Sequence, residues 1–197
     1  TNYPFEDVTD FDDISSRSAY TYELKKTPDD PVRALKVASL KSRDNARTAM
    51  QWNKTYNAGF SSEDTDLLVN RNYKKINVES QLKDDGSLLN HYKKLIHLRR
   101  FSEYSELITY GSYEQIDLDH DMLYVYKRKL KKQVLLVINS FSRKKIEYNL
   151  DQYNIVNVLI SNYKNTKIKK NILLLRPYEA IVFMIREKSW EKVEYYV

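Results

Sequence analysis

The sequence contains no cysteine. This excludes disulfides, a catalytic thiolate and any metal site built on cysteine ligands. It is compatible with a reducing compartment, and we expect a cytoplasmic location. No apolar run reaches the ~18 residues of a membrane-spanning helix, so we predict no membrane partner. The acidic N-terminus has neither the features of a signal peptide nor a starting methionine, so we expect the chain to begin inside a larger protein.

Glycine is also scarce, with 3 residues in 197, whereas average usage is roughly 7%. Asparagine, aspartate and proline must therefore form most of the tight turns. Apolar residues make up 42% of the chain, which is close to the roughly 45–50% of globular proteins and is enough to bury a core.

The positive charge lies mainly in the second half. The formal net charge is +6, and residues 106–197 hold 16 Lys and Arg against 11 Asp and Glu. A basic domain is compatible with nucleic-acid binding, but these lysines fall in turns and do not line one helix face. We interpret them as a solvated surface and predict no nucleic-acid partner.

The first half predicts helices separated by a long loop. Residues 1–31 are expected to form a loop with a short helical stretch, and the apolar spacing of residues 32–40 predicts a short helix. The clearest helix is predicted at about residues 87–101. Its apolar stripe must be buried, yet no earlier element offers a partner of matching size. The polar stretch up to about residue 85 has little periodicity, and so long a loop in a compact domain is often functional.

The second half predicts strands. After about residue 106 the apolar residues alternate, and "QVLLVINSF" at 133–141 is typical of a central strand buried on both faces. Arg176-Pro177-Tyr178-Glu179 predicts a turn with proline at its second position. Several short strands joined by polar turns predict an antiparallel β-sandwich. The tail, 189–197, fits either a short helix or a frayed end.

Several motifs along the chain resemble one family. In order they are "RDNARTAMQW" at 43–52, "NAGF" at 57–60, "VNRNYKKINV" at 69–78, "GSLLNHYKKLIHLRR" at 86–100 and "LLLRPYEAIVFMI" at 173–185. Together they resemble the C-terminal part of glycoside hydrolase family 13, in the oligo-1,6-glucosidase, dextran glucosidase and trehalose-6-phosphate hydrolase group. The resemblance covers nearly the whole chain, to about residue 185.

The resemblance implies an α+β fragment of a retaining α-glucosidase. Such enzymes use a carboxylate nucleophile and a carboxylic acid about 5–5.5 Å apart, carried by strands of a (β/α)₈ barrel. In the family these acids lie upstream of the matched segment, so we predict no catalytic residue here and no activity for the chain alone. Residues 1–105 are then the end of the barrel, with the loop after strand eight and the last barrel helix. Residues 106–188 are an antiparallel β-sandwich domain.

The resemblance also implies a substrate-binding arginine. In the family an arginine of the RDNAR motif lines the pocket for the non-reducing terminal glucose, and position assigns this role to Arg43, with Arg47 as second candidate. A guanidinium offers five donors in a fixed fork, which suits vicinal hydroxyls. The alternative for Arg47 is a loop-shaping ion pair with Asp44. Two departures, Ala49 for the usual proline and Asn53 for the usual aspartate, are expected to loosen the loop and to remove a charge partner.

Other candidate residues favour structural roles. Trp52 suits core packing more often than stacking on a sugar. The acidic run at 117–121, with His120, suits a solvated turn better than a metal site. His91 and His97 are six apart and do not share a helix face. The 17 tyrosines are expected to pack on sheet faces, although an exposed row would stack on sugar rings.

We therefore predict a protein without cofactor or metal. Its expected partners are an α-glucosidic oligosaccharide, when the rest of the barrel is present, and either the missing N-terminal barrel portion or a second copy of the chain. The alternative function is a carbohydrate-binding or scaffold β-sandwich module.

Overall fold

The structure, a computed structural model, describes residues 2–187. The chain forms two compact units, residues 1–90 and residues 91–197. Within the described residues there are five α-helices and eight strands, which confirms the predicted α+β class. The predicted domain boundary after residue 105 rests on the family resemblance and stays a prediction. The predicted tail at 189–197 lies outside the described residues.

Helices α1 (Ile14–Lys26) and α2 (Pro31–Lys41) open the first unit. The carboxylate of Asp30 accepts a hydrogen bond from the Arg33 amide at 2.9 Å, and Pro31 occupies the first turn, where its missing N–H costs nothing. The helix predicted at 32–40 is therefore confirmed. Helix α1 is longer than the short stretch expected. Its aspartate cap, Asp13, favours the N-terminal end of the helix, and Lys25 and Lys26 favour the C-terminal end.

The first unit has a small aromatic core. Phe5 and Phe11 are buried with their ring centroids 4.3 Å apart, and Ala38 of α2 packs with them. The partly buried residues around them are Tyr3, Val8, Ala19, Tyr20, Leu35 and Leu68. The segment before α1 is thereby held against α2.

The long polar segment is ordered by local caps and not structureless as expected. It contains three 3-10 turns, at Arg43–Ala46, Tyr56–Gly59 and Arg71–Lys74, and helix α3 (Val78–Leu82). The Asn77 side chain accepts a hydrogen bond from the Ser80 amide at 2.8 Å and caps α3. Capping hydrogen bonds from short polar side chains, and not a periodic apolar face, therefore order this segment.

Turns are formed largely without glycine, as its scarcity predicts. Among residues 2–187, eight non-glycine residues have positive φ: Asn57, Ala58, Asp117, Lys131, Asn165, Lys170, Asn171 and Tyr178. Half of them are asparagine or aspartate, which tolerate this conformation best. Alanine, lysine and tyrosine at the other four were not anticipated.

Helix α4 (Leu88–Phe101) confirms the clearest predicted helix. Its apolar face is open, because Leu88, Tyr92 and Ile96 are 68, 57 and 51% exposed. Helix α5 (Ser105–Tyr110) follows and corrects the prediction that strands begin near residue 106. Leu107 of α5 is fully buried and packs with Leu135 and Met184, so tertiary burial outweighs the local alternation.

The second unit is an antiparallel two-sheet sandwich, as predicted. One sheet has the strand order β1-β2-β3-β8-β5 and the other β4-β7-β6, with every pair antiparallel. The strands are β1 (Ser112–Ile116), β2 (Leu123–Leu130), β3 (Gln133–Ser140), β4 (Ile146–Asn149), β5 (Tyr153–Ser161), β6 (Ile168–Lys169), β7 (Ile172–Leu175) and β8 (Ala180–Glu187). The strand β3 lies in the middle of the larger sheet and is buried from Val134 to Ile138, as the apolar run predicts.

A buried ion pair closes the turn before β8. Glu179 is fully buried and accepts hydrogen bonds from the Arg176 amide at 2.8 Å, Nε at 3.0 Å and Nη2 at 2.7 Å. Pro177 occupies the second position, and Tyr178 has φ 56° at the third, where a type II turn requires a positive φ. The turn predicted at 176–179 is therefore confirmed.

Candidate functional site

The candidate site is built on Asp13, the N-cap of α1. Its carboxylate accepts hydrogen bonds from the Ser15 amide at 3.2 Å and the Ser16 hydroxyl at 3.0 Å. The Asp13 amide in turn donates to Asp44 Oδ2 at 2.9 Å. Only 2% of Asp13 is exposed. These hydrogen bonds anchor Asp13 at the start of α1 and fix the orientation of its carboxylate.

Arg43 is held by this buried carboxylate. Its Nε and Nη2 donate to Asp13 Oδ1 at 3.1 and 2.5 Å, and its amide donates to Oδ2 at 3.2 Å. The Arg43 guanidinium holds the pKa of the Asp13 carboxyl well below its usual range, although desolvation opposes the shift. Asp13 in turn raises the pKa of Arg43. With 63% of its side chain exposed, Arg43 keeps the two N–H groups of Nη1 and the second N–H of Nη2 as oriented donors that Asp13 does not use.

Arg47 makes the ion pair that was considered as its structural alternative. Its Nη1 lies 3.2 Å from Asp44 Oδ1, and Asp44 is 3% exposed. Asn45 fixes the same loop, since its Oδ1 accepts from the Tyr3 amide at 2.8 Å and its Nδ2 donates to the Ser39 carbonyl at 2.7 Å. Asp44 and Asn45, two of the three residues between the arginines, are thus anchors. The 53% exposed Arg47 side chain is tethered at one nitrogen.

The two departures from the family motif have local consequences. The Ala49 amide donates to the Leu68 carbonyl at 2.9 Å, a bond that proline cannot make. Ala49 is also buried, so this hydrogen bond and the burial oppose the loosening expected from the loss of proline, which stays a prediction. Asn53 accepts hydrogen bonds from the amide and the hydroxyl of Thr55 at 2.9 and 2.6 Å, and its role is to shape this turn.

Trp52 is half-exposed and held by its backbone. Its amide donates to the Ala58 carbonyl at 2.8 Å, and its carbonyl accepts from the Glu79 amide at 2.9 Å. The side chain is 48% exposed and therefore does not serve as core packing, the role favoured by the sequence.

The remaining candidates lie outside this network. Residues 117–121 form an exposed turn between β1 and β2, as predicted. A cleft of about 610 Å³ opens there, with Asp117, Asp119, His120, Tyr148, Asn149, Asp151 and Gln152 as its lining. Within residues 2–187 no group of three or more His, Asp or Glu side chains is placed to hold a metal ion. Nor does any described helix have the length and apolar character to cross a membrane.

Two family models match the chain. The model "Alpha amylase, catalytic domain" matches residues 13–111, and the model "Alpha-amylase SusG C-terminal domain" matches residues 123–182. The first match begins at Asp13 and includes both arginines of the candidate site, and the second falls within the antiparallel sandwich. The chain belongs to the α-amylase catalytic-domain family.

Proteins named oligo-1,6-glucosidase and trehalose-6-phosphate hydrolase are similar to nearly the whole chain. The chain is 38% identical to the oligo-1,6-glucosidase of Parageobacillus thermoglucosidasius, over 94% of this chain and 33% of that protein. It is 35% identical to the trehalose-6-phosphate hydrolase of Escherichia coli, over 92% of the chain and 32% of the relative. A crystal structure of Bacillus licheniformis trehalose-6-phosphate hydrolase matches with TM-score 0.82 at 35% identity, over 95% of this chain and 34% of that one. The chain thus spans about a third of the length of its relatives.

The contact of Asp13 with Arg43 was not predicted from the sequence. The available signal was the N-cap pattern, an aspartate followed by serines at the start of a helix, but that pattern does not say which distant side chain the carboxylate contacts. The sequence also did not indicate which of the tyrosines come together, because their grouping depends on strand register.

Proposed function

We propose that this chain forms the C-terminal third of a retaining α-glucosidase that acts on α-1,6-linked or related gluco-oligosaccharides. The observation that carries the proposal is the Arg43 fork, oriented by the buried Asp13, in a chain whose relatives over 94% of its length are named oligo-1,6-glucosidases. A fork held in advance binds a sugar hydroxyl pair at a lower entropic cost than a free side chain. The chain's contribution is then substrate positioning in the shared pocket.

The chain alone is proposed to be inactive. A retaining glycosidase needs one carboxyl that is protonated at the start of the reaction and one that is ionised. Asp13 and Asp44 are the buried carboxylates of the candidate site, but Asp13 is held ionised by Arg43 and both are engaged by backbone donors and an arginine. Neither fits the role of general acid, which supports the proposal that the catalytic pair comes from another part of the protein.

The test is reconstitution. The chain is assayed on isomaltose and on an aryl α-glucoside, first alone and then co-expressed with the first two-thirds of the Parageobacillus thermoglucosidasius relative. We expect no turnover from the chain alone and turnover from the pair. Hydrolysis by the chain alone contradicts the proposal, and a stable but inactive pair favours the scaffold alternative.

A matched pair of variants tests the two arginines in the reconstituted enzyme. Arg43→Lys keeps a positive charge beside Asp13 but removes the planar fork. We expect it to lower kcat/KM by about a hundredfold, the equivalent of about 2.7 kcal/mol. Arg47→Lys, the control, should change kcat/KM by less than about fivefold. Equal losses, or a larger loss for Arg47→Lys, reverse the assignment of the sugar-binding arginine.

A further inference from the structure

Three tyrosines from two strands form a continuous aromatic surface. Tyr113 of β1 and Tyr124 and Tyr126 of β2 define it, and we call it the tyrosine surface. The Tyr126 ring centroid lies 5.4 Å from that of Tyr113 and 5.4 Å from that of Tyr124. These separations are within the range of direct ring contact. Tyr126 therefore sits in the middle of an unbroken row of three rings.

The tyrosine surface lies on the outer face of the larger sheet. Side chains alternate along β2, and Leu123 and Val125 on the other face enter the core between the two sheets. Tyr113 and Tyr124 are 49 and 37% exposed. Cross-strand tyrosine pairs stabilise a sheet by roughly 0.2–1 kcal/mol, and this packing is sufficient reason for the half-buried Tyr126. It does not explain why large areas of the Tyr113 and Tyr124 rings stay exposed.

The groups that hydrogen-bond with the ring hydroxyls are uncharged. The Tyr113 and Tyr124 hydroxyls lie 2.7 Å apart, and the Tyr113 hydroxyl is 3.3 Å from Gln115 Oε1. The hydrogen bond with Tyr124 raises the pKa of Tyr113 to about 12, so this hydroxyl stays protonated near neutral pH. Asn139, opposite Tyr124 on β3, lies on the same face. The surface combines ring faces with neutral donors and acceptors.

The guanidinium of Arg128, a cation on this face, is held by backbone carbonyls. Arg128, opposite Tyr113 in the register, donates from Nη2 to the carbonyls of Thr109 and Gly111 at 3.3 and 2.7 Å. Lys127 points to the other face, 3.2 Å from Glu114. Stacking on a nucleic acid needs cations placed to neutralise the phosphates, and this surface lacks that arrangement among the described residues. Its chemistry suits an uncharged ligand with apolar faces and hydroxyl edges.

We propose that the tyrosine surface binds a neutral α-gluco-oligosaccharide. A pyranose ring has an apolar face that packs on an aromatic ring and equatorial hydroxyls that reach groups such as Gln115. The three rings are not coplanar, since neighbours are tilted by 38 and 47°. Rings tilted against one another cannot all stack on the flat ribbon of a β-1,4-linked glucan, whereas successive residues of an α-linked glucan present their faces in different directions. The site needs no catalytic group and holds whether or not the proposed hydrolytic role is correct.

Binding is measured with the chain itself. Native gels cast with and without dextran report retardation, and calorimetric titration with isomaltotetraose gives the affinity. We expect Tyr113→Ala/Tyr124→Ala to weaken binding at least about tenfold, since exposed aromatic anchors dominate such sites. Tyr110→Ala is the control, because Tyr110 is a 77% exposed tyrosine of α5 outside the surface, and it should bind as the wild type does. Cellotetraose should bind at least about tenfold more weakly than isomaltotetraose.

A second measurement uses the wild-type chain, so its result does not depend on whether a variant folds. Hydroxyl-radical footprinting with isomaltotetraose should protect Tyr113 and Tyr124 but not Tyr110. Absence of binding by the wild type, unchanged binding by the double variant, or protection confined to other tyrosines overturns the site. Equal binding of cellotetraose overturns the preference for an α-glucan. Because these readouts are binding and protection, they fail separately from the turnover assay of the reconstituted enzyme.

Discussion

At the residue scale, the candidate site of the first unit is held together by a contact between residues far apart in the chain. Asp13 and Arg43 are 30 positions apart, and their contact explains why the RDNAR stretch has its composition. Asp44 and Asn45 tie the loop to the segments before α1 and at the end of α2, which leaves the arginines facing outward. The aspartate between the arginines is thus an anchor as well as the partner of Arg47.

Neutralising Asp13 should destabilise the chain in a pH-dependent way. Asp13→Asn keeps a capping side chain, because asparagine and aspartate cap about equally well, but it removes the charge that holds Arg43. Since the pKa of Asp13 is lowered by folding, the pairing contributes its full stability above the unfolded-state pKa of about 4. That contribution is lost as the pH falls through the lower, folded-state pKa. We therefore expect Asp13→Asn to lower the free energy of unfolding at pH 7 and progressively less below pH 4.

The control for this prediction is Asp30→Asn, which changes the cap of α2 in the same way. Denaturant unfolding at pH 7 and at several values between 4 and 2 measures both variants against the wild type. A deficit for Asp13→Asn that stays constant over this range, or that is matched by Asp30→Asn, contradicts an ionised Asp13–Arg43 pair.

At the element scale, the conformation of residues 52–59 depends on one glycine. Gly59 has φ 69°, and a Cβ built there would lie 2.5 Å from Asn53 Oδ1, the atom that accepts both hydrogen bonds of Thr55. Trp52 and Asn53 also donate their amides to the Ala58 carbonyl next to it. The family motif around residue 59 therefore needs glycine for the backbone conformation and for the close approach of Asn53.

Gly59→Ala should lower the free energy of unfolding by about 2 kcal/mol, through left-handed strain and the displacement of Asn53. Gly86→Ala is the matched control. The φ of Gly86 is not positive, and a Cβ built there would contact only Asp84 Oδ1, at an ordinary distance of 3.4 Å. This control should change stability by less than about 0.5 kcal/mol or raise it slightly. Urea unfolding monitored by tryptophan fluorescence measures both, and similar values for the two variants would remove the special role of Gly59.

At the scale of the whole molecule, one helix has an apolar face that other described residues leave open. Leu88, Tyr92 and Ile96 of α4 are all more than half exposed and recur at four-residue intervals, so they share one side of the helix. Contiguous exposed apolar patches usually mark interaction surfaces. Both partners predicted from the sequence, the barrel portion and a second copy, remain predictions for this face.

The isolated chain should self-associate through this face. Tyr92→Gln/Ile96→Gln makes two of the exposed positions polar, so we expect it to abolish concentration-dependent association in sedimentation velocity. Leu118→Gln, a 74% exposed leucine in the turn between β1 and β2, is the control and should leave association unchanged. In the reconstituted enzyme the same double variant should weaken assembly. A chain that stays monomeric at high concentration contradicts the second-copy partner.

The sequence by itself determined the elements whose signal is local. Helix α4, the apolar run of β3 and the proline turn at 176–179 were all predicted correctly, because helical spacing, continuous hydrophobicity and proline chemistry act over a few residues. The burial expected for the apolar stripe of α4 is not provided by the described residues. The motifs also carried the family, since they occur in order along nearly the whole chain. The scarcity of glycine predicted turns built on asparagine and aspartate, although it did not predict alanine, lysine and tyrosine in the same backbone conformation.

Only the tertiary structure decided what depends on distant neighbours. Helix α5 replaces an expected strand because Leu107 is buried against Leu135 and Met184 of the sheet, a gain that no local pattern reports. Arg43 meets Asp13 because the start of α1 and the end of α2 lie side by side. The tyrosines meet because the register of β1 on β2 places Gln115 opposite Tyr126, and a shift of one residue would turn one strand's tyrosines to the other face.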